Sequence, residues 1–375
     1  MQPLEKLNNS ATLLLTIIVL LVVNCPIRAQ ESQSDDEVKL GLVLSGGGAK
    51  GFAHIGVLHV LEEENIPITL ISGNSIGTIV GALYSIGYSA QEIEDFVREQ
   101  NWEMLLLEKV PRKLRSPFKK DFEQKYLLQL SLSRADKKLS LPSGYVKGNN
   151  IYNLFTGITA SIADSVHFAE LPIPFACVAY NLEDGKEVRL TKGRLPKAML
   201  SSMAIPGAFS PVNFNDMLLV DGGVINNFPV DVAKEMGADL IIGVDLKQKG
   251  DDDSHFGSIS SVLKGIIDKI EIEKHEENSQ NADVVINPKL DGVSTFDFKA
   301  EAVDSIIKSG ERAAREQMPK IKELIKNRNI KRNNQDLSYN HKEKWLIKDI
   351  AIPEEYSVAS RLIHTLLNID TNSSY

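Results

Sequence analysis

Cysteine is nearly absent. Only Cys25 and Cys177 occur among 375 residues, so no disulfide framework staples the fold and its stability rests on a packed core. Aromatic residues are scarce at 6%, which excludes a β-rich binding module or a carbohydrate platform built on stacked rings. Positive charge is outnumbered, with a formal net charge of −8, and that argues against nucleic acid as the main partner. No His, Asp and Glu group has ligand spacing, so neither a metal nor a cofactor is expected. The uninterrupted apolar run Ala11 to Val23 has 13 residues, short of the roughly 20 that span a bilayer as a helix.

What is present begins with an address. The weakly positive Met1 to Ser10, the apolar run and a cleavage site at Ile27-Arg28-Ala29 read as a signal peptide over residues 1–29. Export to the periplasm, the outer membrane or the exterior follows from that. Once the peptide is removed, Cys177 in "PFACVAY" stands alone, a buried small hydrophobe rather than a nucleophile.

The body of the chain, 43% hydrophobic overall, can bury one sizeable domain. Val38 to Leu44 reads as a buried strand, Lys50 to Glu64 as a helix, Ile68 to Gly73 as a second strand and Ser75 to Ile86 as a second helix. Further strands are expected at Pro172 to Tyr180, Met217 to Val220 and Ala238 to Leu246, with a helix closing on Gly237 between the last two. Strands that are apolar throughout and alternate with helices predict an α/β fold, a parallel-rich central sheet with helices on both faces. A long amphipathic helix is expected from about Lys299 to Lys326, making the domain 38–325 with its core at 40–246. The polar stretch 326–344 reads as a linker. Between Lys109 and Lys120 six basic residues interleave with Val110, Leu114 and Phe118; this is a solvated segment or a cap touching an anionic lipid surface.

The first strand ends in "GLVLSGGGAKG", Gly41 to Gly51. Gly46, Gly48 and Gly51 satisfy the dinucleotide pattern, but the acidic residue required about 20 positions on is missing. A Walker loop is excluded because Gly51, not Ser or Thr, follows Lys50. The second strand ends instead in Gly73-Asn74-Ser75-Ile76-Gly77, a G-x-S-x-G nucleophile elbow between strand and helix. With a nucleophilic serine on the neighbouring strand, the bare amides of Gly46, Gly47 and Gly48 suit the oxyanion of a tetrahedral intermediate. Lys50 either adds electrostatic support, faces solvent or touches phosphate.

Ser75 needs a proton acceptor. None of the seven histidines follows a strand as a triad base does, His167 being the least easily dismissed. Asp221 fits better: "MLLVDGG" ends an apolar strand in a carboxylate, and Gly222 and Gly223 then turn the chain away. Alone, D-G-G reads as a structural turn; joined to the two upstream glycine motifs it reads as the base.

"SGGGAKG", "GNSIG" and "DGG", in this order and spacing, resemble the patatin-like phospholipases. The resemblance implies a Ser–Asp dyad of Ser75 and Asp221, an oxyanion hole from Gly46 to Gly48, and supporting roles for Lys50, Gly51, Gly73, Gly77, Gly222 and Gly223. It implies a serine lipid acyl hydrolase of phospholipase A or lysophospholipase type, acting through an acyl-enzyme on phospholipid or another lipid ester at a membrane surface. "MLSSMAIPGAFSPV" (Met199 to Val212) is similar to the segment these enzymes pack beside the acyl site. The family motif often begins with aspartate where Ser45 stands here. The tail 345–375 resembles the start of a POTRA module, which implies outer-membrane assembly. A general carboxylesterase or thioesterase, or a non-catalytic passenger, are the alternatives.

Overall fold

The structure, a computed structural model, describes residues 37–106, 144–162, 164–248, 272–295, 297–326 and 328–330. The signal peptide, the basic stretch 109–120, most of the linker and the POTRA-like tail lie outside the described residues.

In chain order the framework is β1 (Leu40–Leu44), α1 (Ala53–Glu63), β2 (Leu70–Gly73), α2 (Ile76–Ser85), α3 (Ala90–Glu99), β3 (Phe175–Asn181), β4 (Lys186–Leu190), α4 (Leu195–Met203), β5 (Val212–Phe214), β6 (Met217–Asp221), α5 (Val230–Glu235), β7 (Leu240–Val244), β8 (Val284–Ile286) and α6 (Ala300–Ile325). The strands form an eight-stranded sheet in the order β8-β7-β1-β2-β3-β6-β5, with β4 paired to β3. From β8 to β3 the pairing is parallel; β4, β5 and β6 join antiparallel.

The central strands are apolar throughout because both faces are covered. Leu40, Leu42 and Leu44 join the main core with α1 and α2, whereas Val43 packs on the opposite face with Phe228, Val230 and Ala233 around α5. Each fully buried Leu, Ile or Val contributes about 1.5–3 kcal/mol. Helix α5 stops where expected, with Gly237 at φ +93° taking the left-handed turn. Helix α6 crosses α1 through two glycines. A Cβ on Gly56 would come 2.0 Å from the Ile307 carbonyl, and one on Gly310 2.0 Å from the Ala53 carbonyl. Glycine inside a helix costs about 0.5–1 kcal/mol relative to alanine, and the close backbone contact offsets that.

One local detail differs from the sequence-based expectation. The first helix does not begin at Lys50: Gly48–Phe52 form a 3-10 turn, and the α-helix starts at Ala53. Gly48 at φ +56°, with Thr295 packed against it, sets that tighter entry.

The topology explains how two motifs far apart in sequence converge. Cys177 of β3 has Gly73 on one side and Leu190 on the other, while Ala179 has Asp221 and Val188. Strands β2 and β6 therefore share the edge of β3 opposite β4, and meet carboxyl end to carboxyl end. Their partners Cys177 and Ala179 are two residues apart, roughly 7 Å along a strand.

Candidate active site

Ser75 stands between β2 and α2 at φ +52°, ψ −122°. A non-glycine residue at positive φ is strained and persists only where its surroundings fix it. The surroundings here are glycine and hydroxyl. A Cβ on Gly77 would come 2.2 Å from the Leu44 carbonyl, so the first turn of α2 rests directly on the end of β1. The Ser75 N–H donates to the Ser202 hydroxyl at 3.1 Å, and Ser202 exchanges a 2.7 Å hydrogen bond with Thr78.

Asp221 ends β6. Its Oδ1 accepts the Gly223 N–H at 2.8 Å and the Asn74 side-chain amide at 3.1 Å, and the Ser75 hydroxyl stands near enough to the carboxylate to favour its ionised form. Burial, the largest influence, pushes the Asp221 carboxyl above its ordinary range, and Gly223, Ser75 and Asn74 oppose that without cancelling it. Helix α4 pins both partners by the backbone, since Ser202 holds the Ser75 N–H and the Ala204 carbonyl accepts the Asp221 N–H at 3.0 Å.

The glycine loop passes beside the elbow. A Cβ on Gly46 would lie 3.1 Å from that of Ser75. The Gly46 N–H, however, already donates to the Asn227 carbonyl at 3.1 Å. The expected triple donor set is thereby corrected: Gly46 is committed to the fold, and the amides of Gly47 and Gly48 are the candidates. Gly48 opens the 3-10 turn, so its N–H has no intrahelical acceptor. Lys50 is 4% exposed, which removes its solvent-facing reading. Gly51 is a packing residue, because a Cβ there would meet Ile76 Cγ2 at 2.0 Å. Ser45 stitches neighbouring strand ends, its hydroxyl accepting the Leu246 N–H at 3.0 Å.

The described histidines are engaged elsewhere or exposed. His54 donates from Nε2 to the Ser45 carbonyl at 2.8 Å, and burial lowers its pKa to about 4. His59 pairs with Glu94, His275 pairs with Asp245, and His167 lies exposed on the surface. Cys177 is fully buried, and burial raises its thiol far above the ordinary range.

Ser75 and Gly48 line a cavity of about 160 Å³ whose other walls are almost wholly apolar: Ile76, Ile79, Trp102, Leu106, Val146, Met203, Ile205, Ala208, Phe209 and Phe298, with Thr295. Phe52, Trp102 and Phe298 brace one another with ring centroids 5.7–6.2 Å apart, pairs worth about 0.5–1.5 kcal/mol each beyond their burial. Four wall residues come from the 199–212 segment.

Three positions escape the motif reading: Asn74, Asn227 and Ser202. Asn74 lies inside the G-x-S-x-G pattern and Asn227 six residues beyond Asp221, so only their place beside the motifs signals them.

Known proteins are similar to this chain over more than half of its length. An NTE family protein of Mycobacterium tuberculosis is 31% identical over 208 residues, covering 56% of this chain and 49% of that protein. Lysophospholipase NTE1 of Mycosarcoma maydis is 31% identical over 56% of this chain and 10% of its own length. The mouse patatin-like phospholipase domain-containing protein 6 is 32% identical over 57% and 14%. The chain thus spans about half the length of the first of these relatives and far less of the others. Among solved structures, VipD from Legionella pneumophila aligns over 76% of this chain and 67% of its own, with 17% identity and a TM-score of 0.44. The family description "Patatin-like phospholipase" matches residues 42–234, from within β1 through the elbow and the D-G-G turn into α5, and the chain belongs to that family.

Proposed function

We propose that this protein is a serine lipid acyl hydrolase in which Ser75 and Asp221 act as a dyad. The observation that carries the reading is the convergence of Ser75, on the wall of an apolar cavity, with the buried Asp221 carboxylate, whose ionised form its hydroxyl favours. Ser75 Oγ attacks the ester carbonyl carbon while Asp221 takes its proton. The carbonyl oxygen becomes an oxyanion facing the Gly47 and Gly48 amides, where losing one donor typically costs about 3–4 kcal/mol. Collapse breaks the bond to the alcohol or lysolipid, which leaves with the proton from Asp221. Water then attacks the acyl-enzyme as Asp221 takes its proton; the bond to Oγ breaks, Asp221 returns the proton to Oγ, and free fatty acid departs.

The cavity supports an acyl chain over a polar leaving group, since each buried methylene contributes about 0.8 kcal/mol. The lysophospholipase and phospholipase names of the relatives support the same substrate class. Release of fatty acid from defined phospholipid vesicles tests it; turnover of p-nitrophenyl acetate with none of the vesicles would favour a general esterase instead. Ala208→Phe fills the cavity beside Phe209. It is expected to cut turnover of long-chain esters roughly tenfold or more while leaving acetyl esters within about twofold. Equal losses on both would remove the cavity from the acyl-binding role.

A pH dependence follows from burial of the base. Asp221 accepts a proton only when ionised, and its pKa lies above the ordinary value. As pH falls, kcat/KM is therefore expected to drop at a higher pH than an exposed aspartate, near 3.9, would give. An acid limb at or below that ordinary value would contradict the assignment of the base.

A further inference from the structure

A loop of consecutive glycines cannot position itself. Gly46, Gly47 and Gly48 carry no side chain to anchor, and glycine backbone has the most conformational freedom to lose. Something outside the loop must fix its amides against Ser75, because a misplacement of about 1 Å can cost roughly a hundredfold in rate.

Asn227 occupies that position. Its backbone carbonyl accepts the Gly46 N–H at 3.1 Å, and its side-chain amide donates to the Gly46 carbonyl at 3.4 Å. One residue thus holds both polar groups of Gly46. Its Oδ1 accepts the Asn74 amide at 2.9 Å, and the same Asn74 nitrogen donates to Asp221 Oδ1 at 3.1 Å. Asn74 is fully buried, so its amide has no water to turn to. A Cβ on Gly46 would lie 2.2 Å from Asn227 Oδ1 and one on Gly223 3.0 Å from it. The side chain therefore fills the space where the glycine loop, the elbow and the D-G-G turn meet.

We propose that Asn227 is a positioning residue that holds the glycine loop in register with Ser75 and Asp221, acting through Gly46 and Asn74. The inference rests on the dyad reading above. Asn227 touches neither the substrate carbonyl nor the proton in flight; it fixes the distance between the parts that do. The groups that act on the Asp221 carboxylate are the Gly223 N–H, the Ser75 hydroxyl and the Asn74 amide, none of them charged.

Two substitutions separate positioning from a merely structural role. Asn227→Ala removes both side-chain contacts. Asn227→Asp keeps the size and the acceptor for Asn74 but sets a second carboxylate within about 6 Å of the first, where like charge opposes ionisation of Asp221. Steady-state kinetics on a p-nitrophenyl ester, the second-order rate of fluorophosphonate labelling, and the pH profile of kcat/KM are measured on the full chain, beside thermal unfolding. Asn227→Ala is expected to lower kcat and the labelling rate about tenfold to a hundredfold with KM within about twofold. Asn227→Asp is expected to displace the acid limb to higher pH. Wild-type kcat and labelling in Asn227→Ala, or a superimposable pH profile in Asn227→Asp, overturns the inference. Should Asn227→Ala fail to fold, the pH profile of Asn227→Asp decides alone. A Ser75→Ala variant that still turns over would sink the dyad reading first, whereas an inactive Ser75→Ala beside wild-type-like Asn227 variants sinks this inference only.

Discussion

Ser75→Ala is expected to lower lipid-ester hydrolysis by at least roughly 10⁴-fold while the protein stays folded. Removing Oγ deletes the atom proposed to attack the carbonyl, at the wall of the apolar cavity. The elbow itself survives the change. Its backbone is held by the Ser75 N–H bond to Ser202, by Gly77 seated on the end of β1, and by the α2 helix behind it. What the variant loses structurally is one polar neighbour of Asp221, a change of about 1 kcal/mol. Fatty-acid release from phospholipid vesicles, measured beside circular dichroism and thermal unfolding, checks both halves. Turnover near the wild-type rate in a folded variant would place the nucleophile elsewhere.

Asp221→Asn is expected to do two opposite things. Activity falls about 10²- to 10⁴-fold, because an amide cannot take the Ser75 proton. Stability at neutral pH rises. The carboxyl pKa is raised in the fold above its unfolded value, with burial as the main cause. In the wild type, stability contributed by the protonated group is present below the unfolded pKa, near 3.9, and is lost as pH rises through the folded pKa. An asparagine carries no such loss, and its oxygen can still accept the Gly223 and Asn74 donors. Thermal unfolding of both proteins across pH therefore separates the roles: the variant melts above the wild type at neutral pH, and the gap closes towards acid. A variant that melts below the wild type at neutral pH would show that the ionised carboxylate stabilises the fold.

Much of this site is legible in the sequence because its signals are local. An apolar strand buried on both faces, a run of glycines and a G-x-S-x-G turn are each contained within about ten residues, and each found its place. The long helix expected near Lys299 to Lys326 runs from Ala300 to Ile325, since its apolar stripe repeats at helical spacing. Strands β4 and β8 are less legible. Lys186–Leu190 is polar because it is an edge strand, paired only with β3 and partly exposed, and Val284–Ile286 is three residues long. Helix α4 carries Pro196 in its first turn, where Pro is well tolerated, and two serines of modest helix propensity, Ser201 and Ser202, that are fully buried.

The rest was illegible because it depends on contacts across the chain. Asn74 to Asp221 spans 147 positions, Asn74 to Asn227 spans 153, and Ser75 to Ser202 spans 127. No local pattern encodes such pairs. The same reason explains Gly46, whose motif position suggests an oxyanion donor while its amide is taken by a carbonyl from beyond the D-G-G turn. Lys50 is similar: its side chain is buried by packing that the glycine motif does not specify. The meeting of β2 and β6 end to end on β3 is likewise set by strand order, not by either strand's sequence.

The most direct measurement is covalent capture. Wild-type protein and Asp221→Asn are treated with a fluorophosphonate, and the adducts are mapped by mass spectrometry of peptides. A single adduct on Ser75 in the wild type, formed at least about a hundredfold more slowly in Asp221→Asn, is the expected result. No adduct, an adduct on another residue, or equal labelling rates in the two proteins would contradict a serine activated by Asp221.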